Sequence, residues 1–237
     1  MNSRLCGLII RDLENIILDY LLPKSKRLNL IEIVRSNNVI LFEIFKKNAK
    51  LKLSLECSHN VEDDYRFMHS KPACLEFMMN YAAGNGCLQI VKWLHKNRRE
   101  LCTTNTMDWA AAGGHFHVVK WLHENSNDGC TSNAMNYSSM NGHLQILKFL
   151  NENRKEGCTA RAMNLAAGSG HLHIVKWLHE NRKEGCTTDA MDLAASAGHL
   201  HVFEWLNKNR KEGCTIYALE WAKKNNRKEI VSYLCDN

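Results

Sequence analysis

Cysteines stand at Cys74, Cys102, Cys130, Cys158, Cys186 and Cys214, each 28 residues from the last. A fixed period of this length marks stacked supersecondary units, none able to bury its apolar face alone, and it commits the chain to a solenoid rather than a closed globule. The same register carries Met79, Met107, Met135, Met163 and Met191, with Leu219 closing the series. Small pairs follow at Ala82/Ala83, Ala110/Ala111, Ser138/Ser139, Ala166/Ala167 and Ala194/Ala195, then Gly86, Gly114, Gly142, Gly170 and Gly198. Trp93, Trp121, Phe149, Trp177, Trp205 and Tyr233, each followed by Leu, complete a pattern that runs six times from Cys74 to the C-terminus.

Within the unit CTARAMNLAAGSGHLHIVKWLHENRKEG, Met163, Ala166, Ala167 and Gly170 fall at i, i+3, i+4 and i+7, the stripe of a short amphipathic helix. Thr159 is the expected N-cap. Leu172, Ile174, Val175 and Leu178 give the apolar face of a second helix, while Lys176, Glu180 and Asn181 fall toward solvent. Gly170 stands between the two where positive φ lets the chain reverse, and the last unit has Asn226 there, the next most tolerant residue. The expected fold is all-α: a solenoid of helix-turn-helix units joined by short loops. Only 2 Pro and 13 Gly in 237 residues argue against a many-stranded β-sandwich.

These residues carry a family resemblance. AAGSGHLHIVKWL and its relatives in the other units resemble the A-A-x-x-G-H-x-x-I-V-x-x-L core of the ankyrin repeat, over residues 74–237. The unit is shorter than the ankyrin repeat of about 33 residues, and Ala162-Met163-Asn164 replaces the family's T-P-L-H opening. The missing residues lie in the loop, so NRKEGCT reads as a compact turn. Abbreviated repeats of this kind are similar to those of protists and their large DNA viruses. The resemblance implies a non-enzymatic scaffold that binds another protein on its inner face.

The expected domain plan is an N-terminal helix and degenerate capping repeat over 1–48, an irregular linker over 49–73, and six ankyrin-like repeats over 74–237. Leu13, Ile16, Ile17, Tyr20 and Leu21 make a helical stripe that stops at Pro23. LIEIVRSNNVILFEIFKKN aligns on the repeat without a gap, with Ile33 and Val34 in place of the alanine pair, as suits a cap. DLENIILDYLL also resembles the first helix of an F-box, the adaptor motif of ubiquitin ligases, although Ile10-Arg11 stands where Leu-Pro is normal. A substrate-recognition adaptor is therefore the alternative function. At the other end, Lys223, Asn226 and Arg227 replace the Ala, Gly and His of inner units, which predicts a terminal unit with one wet, polar face.

Other chemistries find little support. Ten Cys and twelve His invite zinc, but stacked helices lie about 8–10 Å apart, too far for equivalent cysteines to share a metal with bonds of about 2.3 Å. Cys158 and His171 sit at opposite ends of one helix, about 20 Å apart, which also removes a Cys/His nucleophile pair. No catalytic, metal-binding or cofactor-binding residue is expected. The net charge of +6 divides evenly, +3 for residues 1–73 and +3 for 74–237, so there is no basic domain for nucleic acid. Lys120, Lys148 and Lys176 are each followed four residues later by Glu124, Glu152 or Glu180. No apolar run approaches the roughly 18 residues of a membrane span, and Leu5 to Ile10 is shorter than a signal-peptide core. The expectation is an intracellular, cytoplasmic rather than nuclear, monomeric protein with reduced thiols.

What remains is the part of each unit that varies. The third, sixth, seventh and tenth positions after each cysteine share the side of the first helix opposite the Met/Ala stripe. They read Phe77, Asn80 and Tyr81; Asn105, Asp108 and Trp109; Asn133, Asn136, Tyr137 and Met140; Arg161, Asn164 and Leu165; Asp189, Asp192 and Leu193; Tyr217, Glu220 and Trp221. Aromatic rings bordered by Asn and Asp give a partner large contact area and specific hydrogen bonds. Asn136 is expected to face solvent, across from Met135 and Ser138. The ring column either stacks as an outer core layer or offers itself to the partner.

Overall fold

The computed structural model describes residues 71–97 and 99–236, and residues 79–237 form one compact unit. The expected N-terminal helix and capping repeat over 1–48, the F-box-like helix within it, and the linker up to residue 70 lie outside the described residues. Twelve helices and one short 3-10 turn are described, with no strand among the described residues. First helices are α1 (Lys71–Gly84), α3 (Thr104–Ala112), α5 (Ser132–Met140), α7 (Ala160–Gly168), α9 (Asp189–Ala197) and α11 (Ile216–Lys224). Second helices are α2 (Leu88–Asn97), α4 (Phe116–Asn125), α6 (Leu144–Asn153), α8 (Leu172–Asn181), α10 (Leu200–Asn209) and α12 (Lys228–Asp236). From α3 onward each first helix packs on its own second helix, and neighbouring first helices meet far more extensively than neighbouring second helices.

The apolar stripe makes the core as the period requires. Met79, Met107, Met135 and Met163 and the small pairs behind them are buried, as are Ile146/Leu147 and Ile174/Val175 of the second helices. The alanines leave room for helices to approach closely; a wider side chain would hold them apart. The first helices begin at threonine caps: the hydroxyls of Thr131, Thr159 and Thr215 accept the backbone N–H two residues on. The turn positions take positive φ, from Gly86 at 73° to Gly198 at 90°, with Asn226 at 56°.

Those turn glycines serve a second purpose that the period does not reveal. A Cβ on Gly86, Gly114, Gly142 or Gly170 would lie within about 2.5–3.1 Å of the imidazole of His115, His143, His171 or His199, one repeat further on. Each ring lies across the preceding turn. His115, His171 and His199 reach backbone groups of Gly84, Met140 and Gly168 there. In the last repeat Arg227 takes the place of histidine, its Cδ over Gly198 and its Nε–H donating to the Ser196 carbonyl at 3.2 Å.

The loops are compact. The side-chain amides of Asn125, Asn153, Asn181 and Asn209 donate back to the carbonyl four residues earlier, stopping each second helix. Arg154, Arg182 and Arg210 then pair with Glu156, Glu184 and Glu212 two residues later, and each guanidinium crosses the loop glycine of the preceding repeat.

Candidate functional site

On the first helices the sixth position after each cysteine behaves unlike its neighbours. Asn80, Asp108, Asn136, Asn164 and Asp192 are buried, Asn136 to 2% exposure, so the expectation that Asn136 faces solvent is overturned. The cause is the next repeat. Asn164 Oδ1 accepts the Thr187 N–H at 3.0 Å while its amide donates to the Thr187 hydroxyl at 2.7 Å. Asn136 makes the same two bonds with Thr159, both at 3.1 Å. The carboxylates of Asp108 and Asp192 accept the backbone N–H of Thr131 and Thr215 at 2.8 and 2.9 Å, and also their hydroxyls. Asn80 accepts from Thr106 at 2.8 Å. These five residues form a latch between repeats. Burial pushes the Asp108 carboxyl above its usual range, against the hydrogen bonds from Thr131.

The third and seventh positions stay at the surface. Asn105, Arg161, Asp189 and Tyr217 are exposed, as are Met140 of the tenth position and, in the last repeat, Glu220 of the sixth; Phe77, Tyr81, Asn133 and Tyr137 are partly so. Trp109 is 41% exposed. It lies across Gly84, where a Cβ would meet its ring at 3.3 Å, so that glycine lets the indole lean onto the preceding helix while one side stays in solvent. Tyr81, Asn85, Asn105, Trp109, Asn133 and Tyr137 surround a groove of about 540 Å³ over the first three repeats. Arg161 stands at its edge, the guanidinium carbon 5.9 Å from the centre of the Tyr137 ring.

A second aromatic patch lies at the far end of the same face. Tyr217 and Trp221 stack with ring centres 5.3 Å apart, and Ile216 beside them is 72% exposed. Lys223, Asn226 and Arg227 are exposed as their polarity suggests, but this end is not the polar face expected of a terminal unit. Nothing stacks on α11 among the described residues beyond α9 and α12, so its rings keep their apolar surface.

In the cysteine column burial holds the thiols of Cys102, Cys130, Cys158 and Cys186 above their usual range. Cys102, Cys130 and Cys158 are buried, and burial, reinforced by the Glu156 and Asp108 charges, pushes the Cys130 thiol up to about 12. Among the described residues no group of three or more His, Cys, Asp and Glu side chains is placed to hold a metal ion. No described helix is long and apolar enough to cross a membrane.

A known family pattern accounts for this architecture. The model for ankyrin repeats in many copies matches residues 79–123, 107–150 and 154–206, more than half of the chain. The chain belongs to the ankyrin-repeat family. Ankyrin repeats generally mediate protein–protein interaction and are typically not catalytic. No curated protein matches the chain. The matched stretches take in Trp109, Tyr137 and all five latch residues, Asn80, Asp108, Asn136, Asn164 and Asp192.

The latch is the feature of these ankyrin repeats that the sequence reading missed. Its signal was present: the sixth position is confined to Asn and Asp from Asn80 to Asp192, in register with Thr131, Thr159, Thr187 and Thr215. A column restricted to two short hydrogen-bonding residues repeats as faithfully as the cysteines do, and repetition belongs to stacking rather than to recognition.

Proposed function

We propose that this ankyrin-repeat chain is a non-catalytic scaffold that holds another protein against the exposed face of its first helices, centred on Trp109. The observation that carries this reading is the groove between Tyr81, Trp109 and Tyr137: rigid rings, half in solvent, bordered by the carboxamides of Asn85, Asn105 and Asn133. Rings of this kind supply contact area at small conformational cost, and adaptable amides supply specificity. The latch residues Asn80, Asp108, Asn136, Asn164 and Asp192 support this surface from beneath, and the contact residues are Tyr81, Asn105, Trp109, Asn133, Tyr137, Met140, Arg161 and Asp189, with Phe77, Tyr217 and Glu220 at the two ends.

The test is partner capture from the native cell by proximity labelling, comparing the unaltered chain with Trp109→Ala/Tyr137→Ala. Buried interface aromatics cost about 2 kcal/mol or more each on truncation, so the double variant should lose the specific partner. A parallel variant, Lys148→Glu on the exposed side of α6, should keep it. Unchanged capture by the double variant together with loss through Lys148→Glu would move the binding surface to the second helices.

A further inference from the structure

We infer that the occupant of this face is an extended peptide segment with a fixed order of side chains: a bulky apolar residue, then an acidic one, then a basic one, then a second apolar one, about three residues apart. The inference rests on the binding face proposed above and adds the chemistry of what lies there.

Four consecutive repeats show the matching order. The Tyr81–Trp109–Tyr137 groove opens the series, Arg161 and Asp189 follow at the third position of the next two repeats, and the Tyr217–Trp221 stack closes it. Neighbouring helices stand about 8–10 Å apart, the length of about three residues of extended, polyproline-II-like chain at about 3.1 Å each. With about three residues per turn, a segment of that form lying along the stack presents one residue in three to successive repeats. A segment of about ten residues reaches from one aromatic patch to the other.

On α5, α7 and α9 the exposed charged residues are Arg161 and Asp189, Asp192 being buried. Arg154, Arg182 and Arg210 are paired with Glu156, Glu184 and Glu212, and Lys120 reaches Glu124. Arg161 and Asp189 are exposed and make no ion pair among the described residues. Arg161 also stands in the first turn of α7, where a cation opposes the helix dipole, so local helix stability does not account for it. Its contact with the Tyr137 ring, 5.9 Å to the ring centre, holds the guanidinium beside the groove that Tyr137 lines.

The backbone of the occupant is indicated by asparagine. Among the described residues the carboxamides of Asn105 and Asn133 make no hydrogen bond, and they recur at repeat spacing beside the groove. Each offers a donor and an acceptor, which match the open N–H and C=O of an extended segment. A helix satisfies those groups within itself and would have no use for them.

The experiment is selection from a random twelve-residue peptide library displayed on phage, against the full chain and two variants. The unaltered chain should enrich peptides in which an apolar residue, an acidic residue and a basic residue follow one another at intervals of about three. Arg161→Glu/Asp189→Arg should enrich peptides with the two charges exchanged, and peptides selected on the unaltered chain should bind it about tenfold more weakly or worse, since like charges then face each other. Enriched peptides whose charges ignore the exchange, yet which are lost on Trp109→Ala/Tyr137→Ala, overturn the charge order and leave the binding face standing. Enriched peptides indifferent to both variants overturn the face as well. If nothing is enriched, or if sedimentation shows Trp109 covered by self-association of the chain, the extended-peptide occupant is wrong.

Discussion

Among the described residues the fourth repeat has another packed on it and the sixth has none, and several of their sequence differences match that contrast. In the fourth, Asn164 holds Thr187, Gly170 lies beneath His199, and Leu193 packs on Gly168. In the sixth, Glu220, Asn226 and Lys224 occupy the same three positions and are exposed, while Tyr217 and Trp221 have only each other to stack on. A residue in such a solenoid is chosen by the repeat that follows it as much as by its own helix. The glycines show this most directly, since their small size admits a ring from the next unit.

The sharpest way to test that contrast is at the sixth position. Asn164→Ala removes both bonds to Thr187, and it should cost about 1–2 kcal/mol, read as a lower denaturant midpoint. Glu220→Ala should change stability by no more than about 0.5 kcal/mol, since it supports nothing. Equal costs at the two positions would mean that the latch contributes nothing across the interface.

Turns give a difference of similar size. Gly170→Ala forces an L side chain to a φ of 77° and drives its Cβ toward His199, so a loss of about 1–2 kcal/mol is expected in thermal or denaturant melts. At the corresponding turn of the last repeat Asn226→Gly relieves a φ of 56°, and should stabilise by about 0.5 kcal/mol. A loss there would show that Asn226 contributes more than its conformation.

The smallest effect concerns the loops between inner repeats. Burial raises the Glu156 carboxyl, but the bonds from Arg154 and from the backbone of Glu156 and Cys130 outweigh it and bring the group down to about 2 from 4.5. A folded value below the unfolded one means that stability from this pair is present above about pH 4.5 and is lost as pH falls toward about 2. Glu156→Gln should therefore flatten the acid limb of the stability curve while costing only about 0.5 kcal/mol at neutral pH, because the pair lies at the loop surface with water in reach of both side chains. An unchanged acid limb would place the acid sensitivity elsewhere.

Helix-turn-helix units, the Thr159 cap, the buried methionines and the turn at Asn226 were all legible in the sequence, because each follows from chain-local preference or from burial at a fixed period. Asn136 was not. Periodicity tells which residues share a side of one helix, but the neighbouring repeat decides whether that side is wet. The same limit applied to the last repeat, where the polarity of Lys223 and Arg227 drew attention from Ile216 and Trp221. Where Tyr81, Trp109 and Tyr137 lie was legible as a column; their share of solvent depended on Gly84, whose role emerges only when the indole is placed over it.

The latch also sets the order in which the chain comes apart. Because Thr187 is held by Asn164, and Thr215 by Asp192, the start of each first helix is secured from the repeat before it, so no unit melts without loosening its neighbour. Such an array behaves as a line of coupled segments, and opening enters at the segment coupled on one side only. Amide hydrogens in α11 and α12 should exchange with solvent sooner than those in α7 and α8. A bound segment that reaches Tyr217 and Trp221 would then slow exchange at the end of the array that opens first, and its residence would register there before any change in the midpoint of melting.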